Sequence, residues 1–179
     1  MTDNKVILRE AGGQDLGMLL SLGQDPGIGK VTKGYRKPAF GARRRYSACF
    51  LPVPAGSLRR VIADREHPDE GLGVVMLTDM DAENKTAQIY IKLLPSARGK
   101  GYGRDAVNAM VSYAFQELSL NRICSGILED NTASRRLFEA CGFQLEETRE
   151  CRADQNGRGR KVCTYVRTKR SGTGRNQIR

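Results

Sequence analysis

The sequence reads Arg98-Gly99-Lys100-Gly101-Tyr102-Gly103 at the point where an alternating apolar run ends at Pro95 and an amphipathic run begins at Arg104. Three glycines therefore lie in the turn between a predicted strand and a predicted helix. Glycines let backbone N–H groups approach a phosphate without a Cβ in the way, and a helix N-terminus presents unpaired N–H donors at the positive end of its dipole. With the charges of Arg98 and Lys100, this turn is predicted to bind an anion.

Other phosphate-binding motifs fit this turn less well. Gly101, Gly103 and Ala106 satisfy a relaxed dinucleotide fingerprint, but that motif also needs repeated βαβ units and an acidic residue about 20 positions on. The preceding chain has the pattern of strands and hairpins, Glu117 falls inside the helix pattern, and Glu129 lies rather far. The P-loop pattern GxxxxGK[ST] does not match. A glycine-rich turn without a ligand is the remaining alternative.

Length and the distribution of apolar residues bound the class of protein. A chain of 179 residues predicts one domain with a single sizeable core. The first residues lack the pattern of a signal peptide, and no apolar run approaches the length of a membrane span. We therefore expect a soluble, cytoplasmic protein with no membrane partner.

Cysteine and histidine usage narrows the chemistry. The five cysteines include no CxxC pair, which favours reduced thiols over disulfides or a zinc site. The only histidine, His67, lies in a polar, turn-rich stretch. This pattern disfavours Ser-His-Asp and Cys-His catalysis, and no metal is expected.

The net charge of +10 is unevenly distributed along the chain. Residues 30–60 carry nine lysines and arginines and no acid, and residues 152–179 carry nine against one acid. The stretch between them, residues 61–151, has ten basic residues against fifteen acidic ones. An acidic core with basic flanks indicates an anionic partner.

Periodicity predicts both helices and strands. Asp15 is predicted to cap a first helix with apolar positions at Leu16, Leu19 and Leu20, and residues 24–56 form a long loop or a broken helix. A second helix over 104–118 carries a continuous apolar stripe. A third starts at Asn131 or Thr132 and ends at Gly142, with Ala133, Leu137 and Cys141 facing inward. Strands are predicted at 6–9, 58–63, 73–77, 88–94, 123–128, 143–151 and 161–168, the last two joined by a hairpin tip at 154–157.

Two motifs in this order and spacing resemble one enzyme superfamily. The stretch 98–103 resembles the pyrophosphate loop of the GNAT N-acetyltransferases, Arg/Gln-x-x-Gly-x-Gly/Ala. The second block of that superfamily, Asn-x-x-Ser followed by Gly-Phe, resembles Asn131-x-x-Ser134 followed by Gly142-Phe143. The layout from Ile7 to Val166 is similar to the RimJ/RimL branch. The resemblance implies an α+β GNAT fold, with a mixed, mostly antiparallel sheet flanked by helices, as a single domain over residues 1–168; residues 169–179 form a basic, flexible tail.

The resemblance also implies acetyl-CoA as co-substrate. Its pyrophosphate would lie on the backbone N–H groups of Gly99, Lys100, Gly101, Tyr102, Gly103 and Arg104, with Arg98 adding charge. Its pantetheine arm would lie between the strands at 88–94 and 123–128, which splay apart in this superfamily. Main-chain groups at Leu93 and Leu94 would hold the pantetheine and polarise the acetyl carbonyl. Pro95 lacks an N–H, so strand pairing is predicted to fail there.

The catalytic groups are harder to assign by resemblance. Many members carry a tyrosine acid where this chain has Phe138, and some carry a glutamate base where it has Gly126; neither residue can move a proton. Asn131 and Ser134 would face the pantetheine and the sulfur, with helix capping as their alternative role. Ser134 is then the candidate acid nearest the sulfur. Further candidates for proton relay are Tyr90, Glu129 and Glu150.

The function implied is transfer of an acetyl group to a primary amine. The segments expected to wall the acceptor, about 24–56 and 152–161, are both basic. Such walls argue against free polyamines and for a protein N-terminus, a ribosome-associated amine or an amine on an anionic molecule. A degenerate GNAT module that binds CoA or nucleic acid without turnover is the alternative, and a homodimer is an open option.

Overall fold

A computed structural model describes residues 4–24, 56–151 and 159–169. Its described strands are β1 Val6–Arg9, β2 Leu58–Asp64, β3 Gly71–Asp81, β4 Thr86–Leu93, β5 Arg122–Leu128, β6 Gln144–Cys151 and β7 Arg160–Thr168. These seven strands form one sheet in the order β1-β2-β3-β4-β5-β7-β6. All neighbouring strands pair antiparallel except β4 and β5, which run parallel. The prediction of a mixed, mostly antiparallel sheet is confirmed.

Helices cover both faces of this sheet. Helix α1, Leu16–Gln24, packs on one face, where Leu19 and Leu22 contact Val74. Helices α2, Tyr102–Gln116, and α3, Thr132–Ala140, pack on the other. Side chains alternate along β3, so Val75 joins the larger core under α2 and α3 while Val74 belongs to the α1 side. We call the two sides the α1 face and the α2/α3 face.

The apolar stripe predicted for the second helix is confirmed. Helix α2 begins two residues before Arg104 and ends at Gln116. Its stripe is buried against the sheet over Val107, Met110, Val111, Ala114 and Phe115. Burial of these side chains removes apolar area from water and fixes the start of α2 beside the end of β4.

The expected inward face of α1 is correct only at Leu19, and Asp15 closes the turn before the helix instead of serving as its N-cap. The Asp15 carboxylate points back to β1, where it accepts from Arg9 at 2.6 and 2.8 Å and from the Gly12 N–H at 2.8 Å. Because a short 3₁₀ turn over Gly13–Asp15 leads directly into α1, no separate cap is needed. Leu16 and Leu20 are 48% and 46% exposed, and the buried side is formed by Leu19 with Leu22.

The inward face of α3 also differs from the expectation. Ala133 is exposed in the first turn, Leu137 is half-buried, and Cys141 is buried just after the helix end. Phe138 is the most deeply buried residue of the helix itself. The apolar contact of this short helix with the core is made by Leu137 and Phe138, and exposed Ala133 takes no part in it.

Several predictions fall beyond the described residues. They are the long loop at 25–55, the hairpin tip at 154–157 and most of the basic tail. The first residue expected in that tail, Lys169, donates from its Nζ to the Phe115 carbonyl at 2.7 Å. In the part of the chain that is described, no helix is long and apolar enough to cross a membrane.

Candidate cofactor and acceptor site

The parallel ladder between β4 and β5 is short. It joins Thr86 to Arg122, Ala87 to Ile123 and Gln88 to Cys124, and then ends. Strand β4 continues beside β3 to Leu93, while β5 continues beside β7 to Leu128. Beyond Gln88 and Cys124, each strand therefore follows its other neighbour, and a split opens between them.

The location expected for this break is wrong. Pairing was predicted to fail at Pro95 for want of an N–H, yet the ladder ends seven residues earlier, after Gln88. The residues from Ile89 to Leu93 all carry an N–H, so a missing donor is not the cause. The divergence of the two strands is the cause, because β3 and β7 hold them apart.

Main-chain groups of alternate β4 residues point into the split. The Leu94 N–H donates to the Leu72 carbonyl at 2.9 Å, which makes this pair a hydrogen-bonded one. Because hydrogen-bonded and non-bonded pairs alternate in an antiparallel ladder, Leu93 opposite Gly73 directs its N–H and carbonyl away from β3. Ile89 and Ile91 share this direction. Of the two leucines, Leu93 thus faces the split, and the N–H of Leu94 is occupied.

Gly73 sets how closely β3 approaches this part of β4. A Cβ added at Gly73 would lie 2.2 Å from the Lys92 carbonyl oxygen and 2.8 Å from the Leu93 Cα. No side chain fits in that space. The position of Leu93 at the split therefore depends on the absence of a single methyl group in the neighbouring strand.

The glycine turn leads into α2 with its backbone exposed. Gly99 and Gly101 have φ angles of 75° and 91°, and a Cβ added at either would meet nothing within 4 Å. Positive φ strongly favours glycine here. The carbonyl of Gly101 accepts from the N–H groups of Arg104 at 3.0 Å and Asp105 at 3.2 Å. Within the described ranges, the N–H groups of residues 99–103 have no backbone acceptor, and Gly99, Lys100 and Gly101 are exposed.

Gly103 brings three elements together. It is buried, and a Cβ placed on it would lie 3.4 Å from Leu137 Cδ2 and 3.5 Å from Leu93 Cδ1. The end of β4, the start of α2 and the middle of α3 therefore meet at this residue. They form an apolar neck between the glycine turn and the split.

The side chain of Tyr102 points away from the open space before the turn. Its hydroxyl donates to the Asp64 carboxylate at the end of β2. This hydrogen bond is the main reason why the pKa of Asp64 is lowered and that of Tyr102 is raised. Tyr102 anchors the first turn of α2 to the sheet, and only its N–H faces the predicted anion site.

Asn131 caps α3, as one of its two expected roles required. Its Oδ1 accepts from the Ser134 N–H at 3.2 Å, and Ser134 is half-buried. Phe138 lies in the core, 2% exposed, with its ring edge-on to Phe143 at a centroid distance of 4.9 Å. The position of the usual tyrosine acid is therefore a packing position in this chain.

A buried tyrosine that the sequence analysis missed lies under α3. The Tyr165 hydroxyl donates to Glu139 Oε1 at 2.6 Å and accepts from Arg135 Nε at 3.1 Å. Burial is the largest contribution raising the pKa of Tyr165. Arg135 and Glu139 are four residues apart, a spacing that places both on one side of a helix. This spacing was the available signal for a link between α3 and β7.

The remaining proton-relay candidates are not gathered at one point. Tyr90 lies on the α1 face, where its hydroxyl donates to Gln88 Oε1 at 2.6 Å. Ser134 is in α3, on the opposite face. Glu129 is exposed just past β5, and Glu150 is exposed on β6, which β7 separates from β5. Tyr90 and Ser134 flank the split from its two sides, whereas Glu150 lies away from it.

The α1 face beside the split carries polar, cationic and apolar groups. Lys92 donates from Nζ to the Leu22 carbonyl near the end of α1, at 2.8 Å. Arg122 pairs with Glu146 at 2.6 Å, and burial is the main cause that raises the pKa of Cys124. By strand alternation, neither described strand places a carboxylate on this face beside the split. The residues concerned are Gln88, Tyr90, Lys92, Arg122, Cys124, Gly126 and Leu128.

The chain is similar to known proteins over much of its length. Residues 5–144 match the model of the acetyltransferase (GNAT) domain family. Spermidine N(1)-acetyltransferase of Vibrio cholerae is 31% identical over 42% of this chain and 43% of its own length. The putative ribosomal N-acetyltransferase YdaF of Bacillus subtilis is 34% identical over 50% of this chain and 52% of its own length. The chain spans about half the length of the curated relatives it matches.

One solved structure shows the same fold. The crystal structure of spermidine N-acetyltransferase from Vibrio cholerae in complex with CoA and spermine superposes with a TM-score of 0.72. The superposition covers 93% of this chain and 96% of that one, at 22% sequence identity. At this identity the likeness concerns the arrangement of helices and strands.

Proposed function

The chain belongs to the acetyltransferase (GNAT) family, and from this premise we propose that it transfers the acetyl group of acetyl-CoA to a primary amine. One observation carries the proposal. The only parallel ladder among the described strands ends at Gln88, and β4 then leads to a glycine turn whose N–H groups have no backbone acceptor in the described part of the chain. A phosphate at the turn and an extended arm in the split would be continuous through the neck at Gly103.

Different residues of the chain would bind the different parts of acetyl-CoA. The N–H groups of residues 99–103 and the charges of Arg98 and Lys100 would hold the pyrophosphate. Leu93, rather than Leu94, would offer its main-chain groups to the pantetheine arm, because the Leu94 N–H is already bonded to Leu72. Asn131 would act mainly as the cap that fixes the first turn of α3, with Ser134 beside the neck.

Bound acetyl-CoA would supply a thioester, and the neutral amine would attack its carbonyl carbon directly. The C–N bond forms and the C–S bond breaks. The proton lost by nitrogen balances the charge of the thiolate that leaves. A thiol pKa of roughly 8.5 makes the thiolate a tolerable leaving group. The chain can therefore do without a strong acid at Phe138. Ser134 or water would return the proton to sulfur, and Tyr90 would relay the proton from the amine on the α1 face.

We propose that the acceptor amine is carried on an anionic body, such as a protein N-terminus on a ribosomal surface. Two features support this: neither β4 nor β5 contributes a carboxylate to the α1 face beside the described split, where Glu146 of β6 is paired with Arg122, and the segments at 24–56 and 152–161 are basic. The similarity to a spermidine acetyltransferase favours the opposite choice. A cytoplasmic location and a homodimer belong to the same proposal.

Salt dependence separates the two acceptors. For an anionic acceptor, kcat/KM should fall steeply with added salt, since charges are screened over roughly 10 Å at 0.1 M. Efficient acetylation of spermidine with little dependence on salt would contradict the anionic acceptor while leaving the acetyl transfer intact.

The second candidate function is a module that binds CoA or nucleic acid without turnover. It is favoured by the burial of Phe138 and by Gly126, which leave the two usual proton-transfer positions empty of titratable groups. Release of free CoA in the presence of a broad panel of amines would decide against it.

The cofactor assignment is tested by calorimetry on Gly101→Val. A side chain at this position would enter the space assigned to phosphate and displace at least two charge-assisted hydrogen bonds of about 1.5–3 kcal/mol each, so the affinity for acetyl-CoA should fall roughly 100-fold or more. Gly56→Val is the matched control, because Gly56 also has a positive φ, 71°, and open space around it. Equal loss of affinity in both variants, or no loss in a folded Gly101→Val, would overturn the assignment.

A further inference from the structure

The Arg98 side chain turns back onto the strand that precedes it. Its Nε donates to the Leu93 carbonyl at 3.1 Å, and its N–H donates to the Pro95 carbonyl at 3.3 Å. A 3₁₀ turn over Pro95–Ala97 reverses the chain between them. The exposed guanidinium beside the glycine turn is thus hydrogen-bonded to a backbone carbonyl of β4.

That acceptor is one of the groups that face the split. Alternation along β4 directs the carbonyls of Ile89, Ile91 and Leu93 towards β5, and the ladder with β5 has already ended at Gln88. An extended ligand with amide groups would bond to these positions as an added strand does. With Arg98 on Leu93, the last of the three acceptors is occupied before any such ligand arrives.

We propose that Arg98 makes the pantetheine subsite dependent on phosphate. In the free protein, its guanidinium competes for the Leu93 carbonyl that an amide of the ligand would use. Phosphate at the glycine turn draws the guanidinium away, since phosphate is a charged acceptor that can take two parallel hydrogen bonds from the guanidinium, whereas the Leu93 carbonyl is a neutral acceptor of one. Arg98 thereby selects thioesters that carry the nucleotide phosphates over thioesters that lack them. This inference rests on the proposed function and adds a specificity residue to it.

The test compares three probes on wild type and Arg98→Ala. The probes are acetyl-CoA, adenosine 3′,5′-bisphosphate, which carries phosphate without the arm, and S-acetylpantetheine, which carries the arm without phosphate. Calorimetry measures the first two, and a titration followed by NMR chemical shifts measures the third into the millimolar range. In Arg98→Ala, both phosphate-bearing probes should bind about 10-fold or more weakly, whereas S-acetylpantetheine should bind about 2- to 10-fold more tightly, as expected for removal of one competing hydrogen bond.

Lys100→Ala is the matched control, because it removes a neighbouring cation of the same turn that has no bond to Leu93 in the described part of the chain. It should weaken the phosphate-bearing probes and leave the affinity for S-acetylpantetheine unchanged. Unchanged or weaker binding of S-acetylpantetheine in Arg98→Ala would overturn the role of Arg98 while acetyl-CoA still binds wild type. Failure of wild type to bind acetyl-CoA would overturn the proposed function, and this inference with it.

Discussion

Strand β5 has two edges that the sheet treats differently. Along one edge β7 pairs with all seven residues from Arg122 to Leu128, and along the other β4 pairs with three. The first edge satisfies its peptide groups within the protein. The second leaves peptide groups of β4 facing a gap, and buried peptide groups need a partner from water or a ligand. A ligand-binding site can therefore arise from an interrupted ladder without any special side chain on the strands.

Both edges of β5 exist only in the folded sheet, and the buried ion pair of Asp15 with Arg9 of β1 helps to stabilise that fold. Asp15 is 1% exposed and pairs with Arg9, which also donates to the carbonyls of Pro68 and Asp69. Asp15→Asn should lower the free energy of unfolding by about 3 kcal/mol, the usual cost of breaking a buried ion pair. Urea denaturation measures this loss.

The same carboxylate predicts a dependence on pH. The hydrogen bond from Arg9 is the main cause that holds the pKa of Asp15 below its usual value. A lowered pKa stabilises the fold above the unfolded pKa, about 3.9, and the stabilisation is lost as pH falls through the lower folded value. Wild type should therefore lose stability more steeply than Asp15→Asn below about pH 4. Parallel curves for the two proteins would contradict the ion pair.

Gly73→Ala tests the other edge of β5, along which β4 pairs with only three residues. The added methyl would clash with the Lys92 carbonyl, so β4 must move; overpacking of this kind costs about 1–3 kcal/mol. Because Leu93 moves with it, affinity for acetyl-CoA should fall as well, as measured by calorimetry. Gly17→Ala, where the new Cβ meets nothing within 4 Å, is the control. Because Gly17 lies in α1, this change should raise the stability by about 0.5–1 kcal/mol and leave the affinity for acetyl-CoA unchanged. A stable Gly73→Ala with full affinity would show that the split does not depend on this contact.

Phe138→Tyr sharpens the contrast between packing and chemistry. The ring is buried edge-on against Phe143, so a new hydroxyl without a partner should cost about 1–3 kcal/mol of stability. Turnover should not fall, because the native ring supplies no proton. Thermal unfolding and release of CoA measure the two effects, with Phe138→Leu as the variant that removes the ring. A fall in turnover with stability retained would mean that the ring contacts the reacting groups.

Tyr165→Phe has the smallest expected effect and tests the edge of β5 that pairs with β7. It removes the hydroxyl that joins Glu139 and Arg135 and should cost about 1 kcal/mol. Its affinity for acetyl-CoA should stay close to that of wild type, because β7 lies on the side of β5 away from the split. A large loss of affinity in calorimetry would mean instead that the Tyr165 hydroxyl fixes the position of α3 at the binding site.

The sequence predicted those parts of the molecule that depend on local pattern. Alternation located the strands, and the apolar spacing from Val107 to Phe115 gave both the existence and the inner face of α2. The glycine turn was expected at the start of that helix, and it is found there. Positive φ at Gly99 and Gly101 explains why the pattern was informative, since few other residues adopt it.

The features that the sequence did not predict depend on neighbours. The ladder between β4 and β5 ends because other strands hold them apart, and nothing at Pro95 encodes that position. Leu16 and Leu20 have the same apolar character as Leu19, and only the contact with β3 determines which of them is buried. The partner of Tyr102 lies 38 residues away in the chain, so no local spacing indicates it.

The alternation along β4 also determines which kinds of mutation the site can tolerate. A substitution at Ile89 or Ile91 changes a side chain but leaves the peptide groups directed at the split. Deletion of a single residue earlier in β4 would exchange the two sides of the strand, turning these peptide groups towards β3 and moving the side chains to opposite faces of the sheet. The site should therefore accept other apolar residues at these two core positions over evolution, while the length of the chain between the turn at 82–85 and Leu93 should be strictly maintained.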